Sequence, residues 1–94
     1  MSPRMSDASI PRFTVYIKSG CPWCDEAIDW LDEHGYAYDS IDVSADRQEF
    51  ARMRELSGQT KAPTLTAGDE LLADFDTDQL QPWLKQRGWL KAAK

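Results

Sequence analysis

A chain of 94 residues, 41% apolar and 29% charged, has the size and composition of one small globular domain with a single modest core. Its net charge of −5, from 16 acids against 11 bases, argues against nucleic acid, which calls for a basic patch. No apolar run approaches the ~20 residues that span a bilayer, so no membrane partner is expected.

The opening "MSPRMSDASIPR" carries no apolar stretch of the kind a secretory signal needs, and the protein is expected to be cytoplasmic. Residues 1–11 show no periodicity and read as a flexible leader; 12–94 read as the folded domain. Phe13-Thr14-Val15-Tyr16-Ile17 is β-branched and aromatic, a buried strand. Lys18-Ser19-Gly20 then turns the chain. From Cys24 the apolar positions Cys24, Ala27, Ile28 and Leu31 follow helical spacing, with Asp25, Asp29, Asp32 and Glu33 off that face. Gly35 suits the helix end. Residues 36–43 alternate as a second strand. Asp46 and Glu49 form a capping-box pair ahead of Phe50, Met53 and Leu56, with Gly58 closing that helix.

Residues 59–63 read as a loop. Thr64-Leu65-Thr66 and Leu71-Leu72-Ala73 around Gly68-Asp69 form a hairpin. Asp76 or Thr77 caps a last helix through Leu80, Trp83, Leu84 and Arg87, where Pro82 sits awkwardly unless it lies in the first turn. Lys85, Arg87 and Lys91 suit its C-terminal end. Trp30, Trp83, Phe50 and Leu84 are expected in the core, and Trp89 against the end of the last helix. His34 should meet the terminal carbonyls of the first helix. The order is β-α-β-α-β-β-α, an α/β domain. The first half is a βαβ unit with parallel strands, the hairpin adds an antiparallel edge, and helices cover the faces.

Both cysteines lie in "SGCPWC" at the first helix start. One helical turn puts positions three apart on neighbouring faces, at a Cα separation of ~5.5 Å that permits a disulfide. Unpaired N–H groups and the partial positive charge there favour a thiolate at Cys21, the attacking species in exchange. Pro22 lacks an N–H where none is needed. Cys24, on the apolar face, should be the less exposed thiol and could resolve what Cys21 forms. Three plainer readings compete. A structural disulfide would close too short a loop to remove much chain entropy. A zinc half-site lacks further ligands, since the only histidine is His34 at the far helix end. Two inert buried cysteines would need neither Gly20 nor Pro22. C-x-x-C beside a βαβ pattern favours redox chemistry.

Here the chain resembles the glutaredoxin family. "VYIKSGCPWC" is similar to that family's strand-Lys-x-x-Cys-Pro-aromatic-Cys opening, and "SGQTKAP" to the segment before its cis-proline, here Pro63. The resemblance runs from about Phe13 to Trp89. It implies a thioredoxin-like fold, a four-stranded mixed sheet flanked by three helices, so that 12–94 would be a glutaredoxin domain. It also implies a glutathione-disulfide oxidoreductase that reduces protein disulfides and protein–glutathione mixed disulfides. Glutathione would be co-substrate, with no bound cofactor or metal, and the protein a monomer. By that resemblance Cys21 attacks and Cys24 resolves. Lys18 holds a glutathione carboxylate, Trp23 contacts substrate, Ala62 and Pro63 offer backbone to the peptide, and Asp76 and Thr77 offer amides to its γ-glutamyl end.

The chain departs from the family pattern in three places. Asp25 and Glu26 follow the motif where basic residues are common, and both oppose a thiolate at Cys21. Gln59 and Lys61 stand where Arg and Thr are common; Lys61 could restore some positive charge. Asp74-Phe75 occupies the place of a Gly-Gly pair. "AGDELLADFDTDQL" is therefore also similar to the redoxins that feed ribonucleotide reductase and are reduced by thioredoxin reductase instead of glutathione. Other glutaredoxins hold a [2Fe–2S] cluster between two subunits. One chain here has too few thiolates for that, and relatives with proline at Pro22 rarely bind clusters.

Overall fold

The structure, a computed structural model, describes residues 10–90. Most of the expected leader, together with Lys91 and the end of the expected domain, lies outside the described residues. Ile10, read as part of the leader, packs against the core. The elements are β1 (Phe13–Ile17), α1 (Pro22–Glu33), β2 (Tyr38–Asp42), α2 (Arg47–Ser57), β3 (Thr64–Ala67), β4 (Glu70–Ala73) and α3 (Thr77–Gln86). They form one four-stranded sheet of order β2-β1-β3-β4. β1 and β2 run parallel, with Phe13 opposite Tyr38 and Ile17 opposite Asp42. β3 runs antiparallel to β1 and to β4, with Leu65 opposite Val15 and Leu72. This is the mixed sheet with three helices expected from the element order.

Strand alternation divides the core. Phe13 and Val15 face one side with Leu65, beneath Ala27 and Leu31 of α1 and Leu80, Trp83 and Leu84 of α3. Tyr16 faces the other side with Val43, beneath Met53 of α2. Full burial of side chains such as Leu31 and Leu80 contributes ~1.5–3 kcal/mol each. α1 and α3 are thereby anchored side by side, and the loops at their N-terminal ends become neighbours.

Four details differ from the sequence expectations. β2 begins at Tyr38, not at residue 36. The Gly35 and Tyr36 amides close the end of α1 by donating to the Asp32 and Leu31 carbonyls, a turn that needs the positive φ of Gly35. Tyr36 is thus drawn into the core against Phe13 and Trp30, its hydroxyl on the Trp89 carbonyl. Second, Pro82 sits in the second turn of α3, because Asp76 is the cap and the first turn is spent by Leu80. Third, Leu56 is half exposed, one turn beyond Met53 and past the edge of the small patch under α2. Fourth, Trp30 and Phe50 are only partly buried at the margins of the two clusters. His34 does meet a terminal carbonyl, its Nδ1 lying 2.9 Å from the Trp30 oxygen while its ring stacks on Trp30.

Candidate active site

Cys21 is the N-cap of α1 and has the extended backbone of that position. Its Sγ accepts the Cys24 N–H at 3.2 Å, a place normally filled by a Ser, Thr, Asp or Asn oxygen. Pro22 follows at the first helical position and leaves no N–H unsatisfied. The sulfur therefore faces the positive end of the helix dipole. Cys24 lies one turn in and is 1% exposed, whereas Cys21 is partly exposed; both are free thiols. Burial pushes the Cys24 thiol up to about 12, and its hydrogen bond with Cys21 pushes the same way. Nearby Asp25 adds a smaller upward push. One sulfur is offered to solvent and the other is buried beneath it, as the sequence predicts.

The loop before β3 forms the opposite wall. The Ala62–Pro63 peptide is cis. The buried Pro63 carbonyl accepts from the Asp74 amide at 2.9 Å and the Phe75 amide at 3.4 Å, stitching this peptide to the turn between β4 and α3. The Ala62 N–H and C=O have no hydrogen-bond partner among the described residues. Gln59 holds the loop's shape. Its Nε2 donates to Ser57 Oγ, the Lys61 carbonyl and Thr64 Oγ1, and its Oε1 accepts the Lys61 amide at 2.6 Å.

Trp23, 58% exposed, lines a cavity of ≈ 220 Å³ with Ala62, Pro63, Asp74, Phe75, Asp76 and Gln79. Of the expected site residues, Trp23, Ala62, Pro63 and Asp76 thus share one hollow at the helix end that carries Cys21. Lys18, Cys21, Cys24 and Thr77 are not among its lining. Lys18 Nζ donates to the Thr60 carbonyl at 2.8 Å and sits over the Phe50 ring, so the charge expected to meet a carboxylate is engaged within the protein. Lys61 Nζ lies 4.0 Å from Asp74 Oδ2, so the compensating cation has an acidic neighbour. Asp74 takes φ 54, the left-handed conformation that Asp tolerates better than most residues, at the place where the resemblance led one to look for glycine.

Asp76 caps α3, accepting the Gln79 N–H at 3.0 Å, while its own N–H donates to Gln79 Oε1 at 3.0 Å. That amide is therefore occupied, whereas the Thr77 N–H has no partner among the described residues. The role of Gln79 was missed in the sequence, although a Gln three residues after an Asp is a capping-box signal. Among the described residues, no three His, Cys, Asp or Glu side chains are grouped to hold a metal, and no helix is long and apolar enough to cross a membrane.

The glutaredoxin family model matches residues 13–72, from the first strand into the hairpin and across both walls. The chain belongs to the glutaredoxin family. A glutaredoxin of Neisseria meningitidis serogroup A is 36% identical over 78 residues, 82% of this chain and 88% of that protein. The glutaredoxin-like protein NrdH of Lactococcus lactis is 33% identical over 67 residues, 71% of this chain and 92% of that one. The crystal structure of a glutaredoxin from Archaeoglobus fulgidus shares the fold, with a TM-score of 0.69 at 16% identity over 90% of this chain and 97% of that one. The chain is thus a glutaredoxin-like redox protein with a thioredoxin-like fold.

Proposed function

We propose that this protein reduces protein disulfides and protein–glutathione mixed disulfides through Cys21 and Cys24, with glutathione as reductant. The observation that carries the proposal is the placement of the two sulfurs. Cys21 Sγ caps a helix N-terminus, partly exposed, and Cys24 is buried one turn below it. On a glutathionylated protein, the Cys21 thiolate attacks the glutathione sulfur. A Cys21–glutathione disulfide forms as the bond to the protein breaks, and the protein leaves as a thiolate that takes a proton from water. A second glutathione thiolate then attacks the bound glutathione sulfur. Glutathione disulfide leaves and the Cys21 thiolate returns.

On a protein disulfide, Cys21 forms a mixed disulfide with one substrate sulfur and releases the other. Cys24 then gives up its proton and attacks Cys21, leaving a Cys21–Cys24 disulfide and the second substrate thiol. The open Ala62 N–H and C=O suit an extended peptide laid beside the cis-Pro63 bond. Trp23 gives the hollow an apolar wall, and the Thr77 N–H at the start of α3 suits a γ-glutamyl carboxylate. Lys18 would have to exchange the Thr60 carbonyl for a glutathione carboxylate. The protein acts in the cytoplasm as a monomer, with no bound cofactor.

A second reading draws on two contacts. Lys61 faces Asp74, and the Asp76 amide is held by Gln79, so two groups that glutathione would use are engaged. A redoxin reduced by thioredoxin reductase needs neither, and the Lactococcus NrdH is a relative of comparable identity. Turnover of a glutathionylated peptide with two reducing systems tests the proposal. One contains NADPH, glutathione and glutathione reductase; the other, NADPH and thioredoxin reductase. Turnover with the first supports the glutathione reading. Reduction of Cys21–Cys24 with the second alone replaces it by the redoxin reading.

A further inference from the structure

The loop that carries the nucleophile is tied down by a cluster at the far end of β2. Asp42, the last residue of β2, stands opposite Ile17, the last of β1, and the Val43 amide donates to the Ile17 carbonyl at 2.8 Å. Asp42 Oδ2 accepts the Ser19 hydroxyl at 2.7 Å. Its Oδ1 accepts the Ser44 amide at 2.9 Å and also the Ser44 hydroxyl. Ser44 Oγ in turn accepts the Ser19 amide at 3.2 Å and lies 3.2 Å from Ser19 Oγ. Every proton that Ser19 can donate therefore goes to the end of β2 or the turn that follows it. Ser44 first and Ser19 second hold the Asp42 carboxyl below its usual range, so it carries charge at neutral pH and accepts these bonds as a carboxylate.

Ser19 is two residues before Cys21, with Gly20 at positive φ between them. On the other side of the same short loop, Lys18 reaches across to the Thr60 carbonyl, in the loop that presents Ala62. The segment is thus held from both flanks immediately before its sulfur becomes the helix cap. Nothing in helix propensity or core packing calls for this, since Ser19, Ser44 and the Asp42 carboxylate are at the surface.

We infer that Ser19 and Asp42 are positioning residues for Cys21, fixing the height of its sulfur at the α1 N-terminus and its approach to the Ala62–Pro63 backbone. The inference rests on the reading of Cys21 as nucleophile. Loss of the tether lets the loop drift, which lowers the rate of attack while leaving the substrate hollow intact. A 1 Å misplacement can cost ~100-fold in rate, and a loosened loop should cost about tenfold. The charge of Asp42 acts in the opposite direction. Loss of its charge alone would not slow attack by an anionic sulfur.

Ser19→Ala, Ser19→Thr and Asp42→Ala are compared with the parent and with Cys21→Ser on a glutathionylated peptide. Iodoacetamide labelling of Cys21 at pH 7 is followed alongside, and thermal melts report folding. Ser19→Ala and Asp42→Ala are expected to lower kcat about tenfold with KM within about twofold, and to slow labelling. Ser19→Thr keeps the hydroxyl and should restore the parent rates. The inference is overturned if Ser19→Ala matches the parent, or if Asp42→Ala labels faster, which would make Asp42 a source of charge alone. Should Asp42→Ala not fold, the two Ser19 variants decide. An active Cys21→Ser would instead remove the underlying mechanism, independently of what Ser19 does.

Discussion

Replacing Asp76 with alanine removes the side-chain half of the α3 capping box at the wall of the candidate site and leaves the backbone half in place. The parent side chain accepts the Gln79 amide at 3.0 Å, and the Asp76 amide reaches back to Gln79 Oε1 at 3.0 Å. Loss of an Asp cap typically costs ~1 kcal/mol, within a range of ~0.5–2 kcal/mol. α3 carries the fully buried Leu80 and Leu84, so its first turn cannot fray without disturbing the main core. For a domain of this size, ~1 kcal/mol lowers Tm by ~4–8 °C. Asp76→Asn keeps a good cap and loses only the favourable charge at the helix start, ~0.3–1 kcal/mol, so its melt should shift by less. Gln79→Ala removes the reciprocal bond alone and should fall between the parent and Asp76→Ala. Thermal melts by far-UV circular dichroism, with urea midpoints as a second probe, measure all three. An Asp76→Ala protein that melts with the parent, or an Asp76→Asn protein as damaged as Asp76→Ala, would refute the capping account.

Two further predictions follow from the site. Because burial raises the Cys24 thiol from 9.0 to about 12, the folded protein keeps this proton at pH values where the unfolded chain loses it. The contribution to stability is complete below about pH 9 and fades as pH climbs towards 12. Under reducing conditions, urea unfolding at pH 7 and pH 10 should therefore show a larger loss for the parent than for Cys24→Ala; the Tyr38 phenol, also raised to about 12, contributes equally to both and cancels. Equal losses would contradict the burial argument. Asp74→Gly relieves a left-handed Asp and releases Lys61. It should leave Tm unchanged or slightly raised and lower the KM for a glutathionylated peptide several-fold with little change in kcat; an unchanged KM would show that the Lys61–Asp74 contact does not restrain glutathione.

The sequence made the architecture legible because its signals are local. Phe13–Ile17 coincides with the strand found, since five β-branched and aromatic residues bounded by turn residues leave little choice. Cys24, Ala27 and Leu31 are buried at helical spacing, as the periodicity requires. Boundaries failed where a side chain was drawn elsewhere. Tyr36 carries strand chemistry, yet it completes the end of α1 and fills the core. The two cysteines were readable because three-residue spacing at a helix start fixes their geometry. The charge pattern around them was not. Lys18 finds the Thr60 carbonyl and Ser19 finds Asp42, partners 42 and 23 residues away that no periodicity links. The departure at Asp74 was visible as a residue type, but its pairing with Lys61 and its left-handed backbone needed the fold.

The most direct test of the central claim is to trap the first covalent step. Cys24→Ser is mixed with a glutathionylated peptide without free glutathione, and the protein is digested and sequenced by mass spectrometry alongside Cys21→Ser. The account predicts glutathione on Cys21 of the first variant, with release of the free peptide thiol in equal amount, and no adduct on the second. Glutathione on Cys24 of the Cys21→Ser protein, or none on Cys21 of the Cys24→Ser protein, would contradict the assignment of Cys21 as the attacking sulfur.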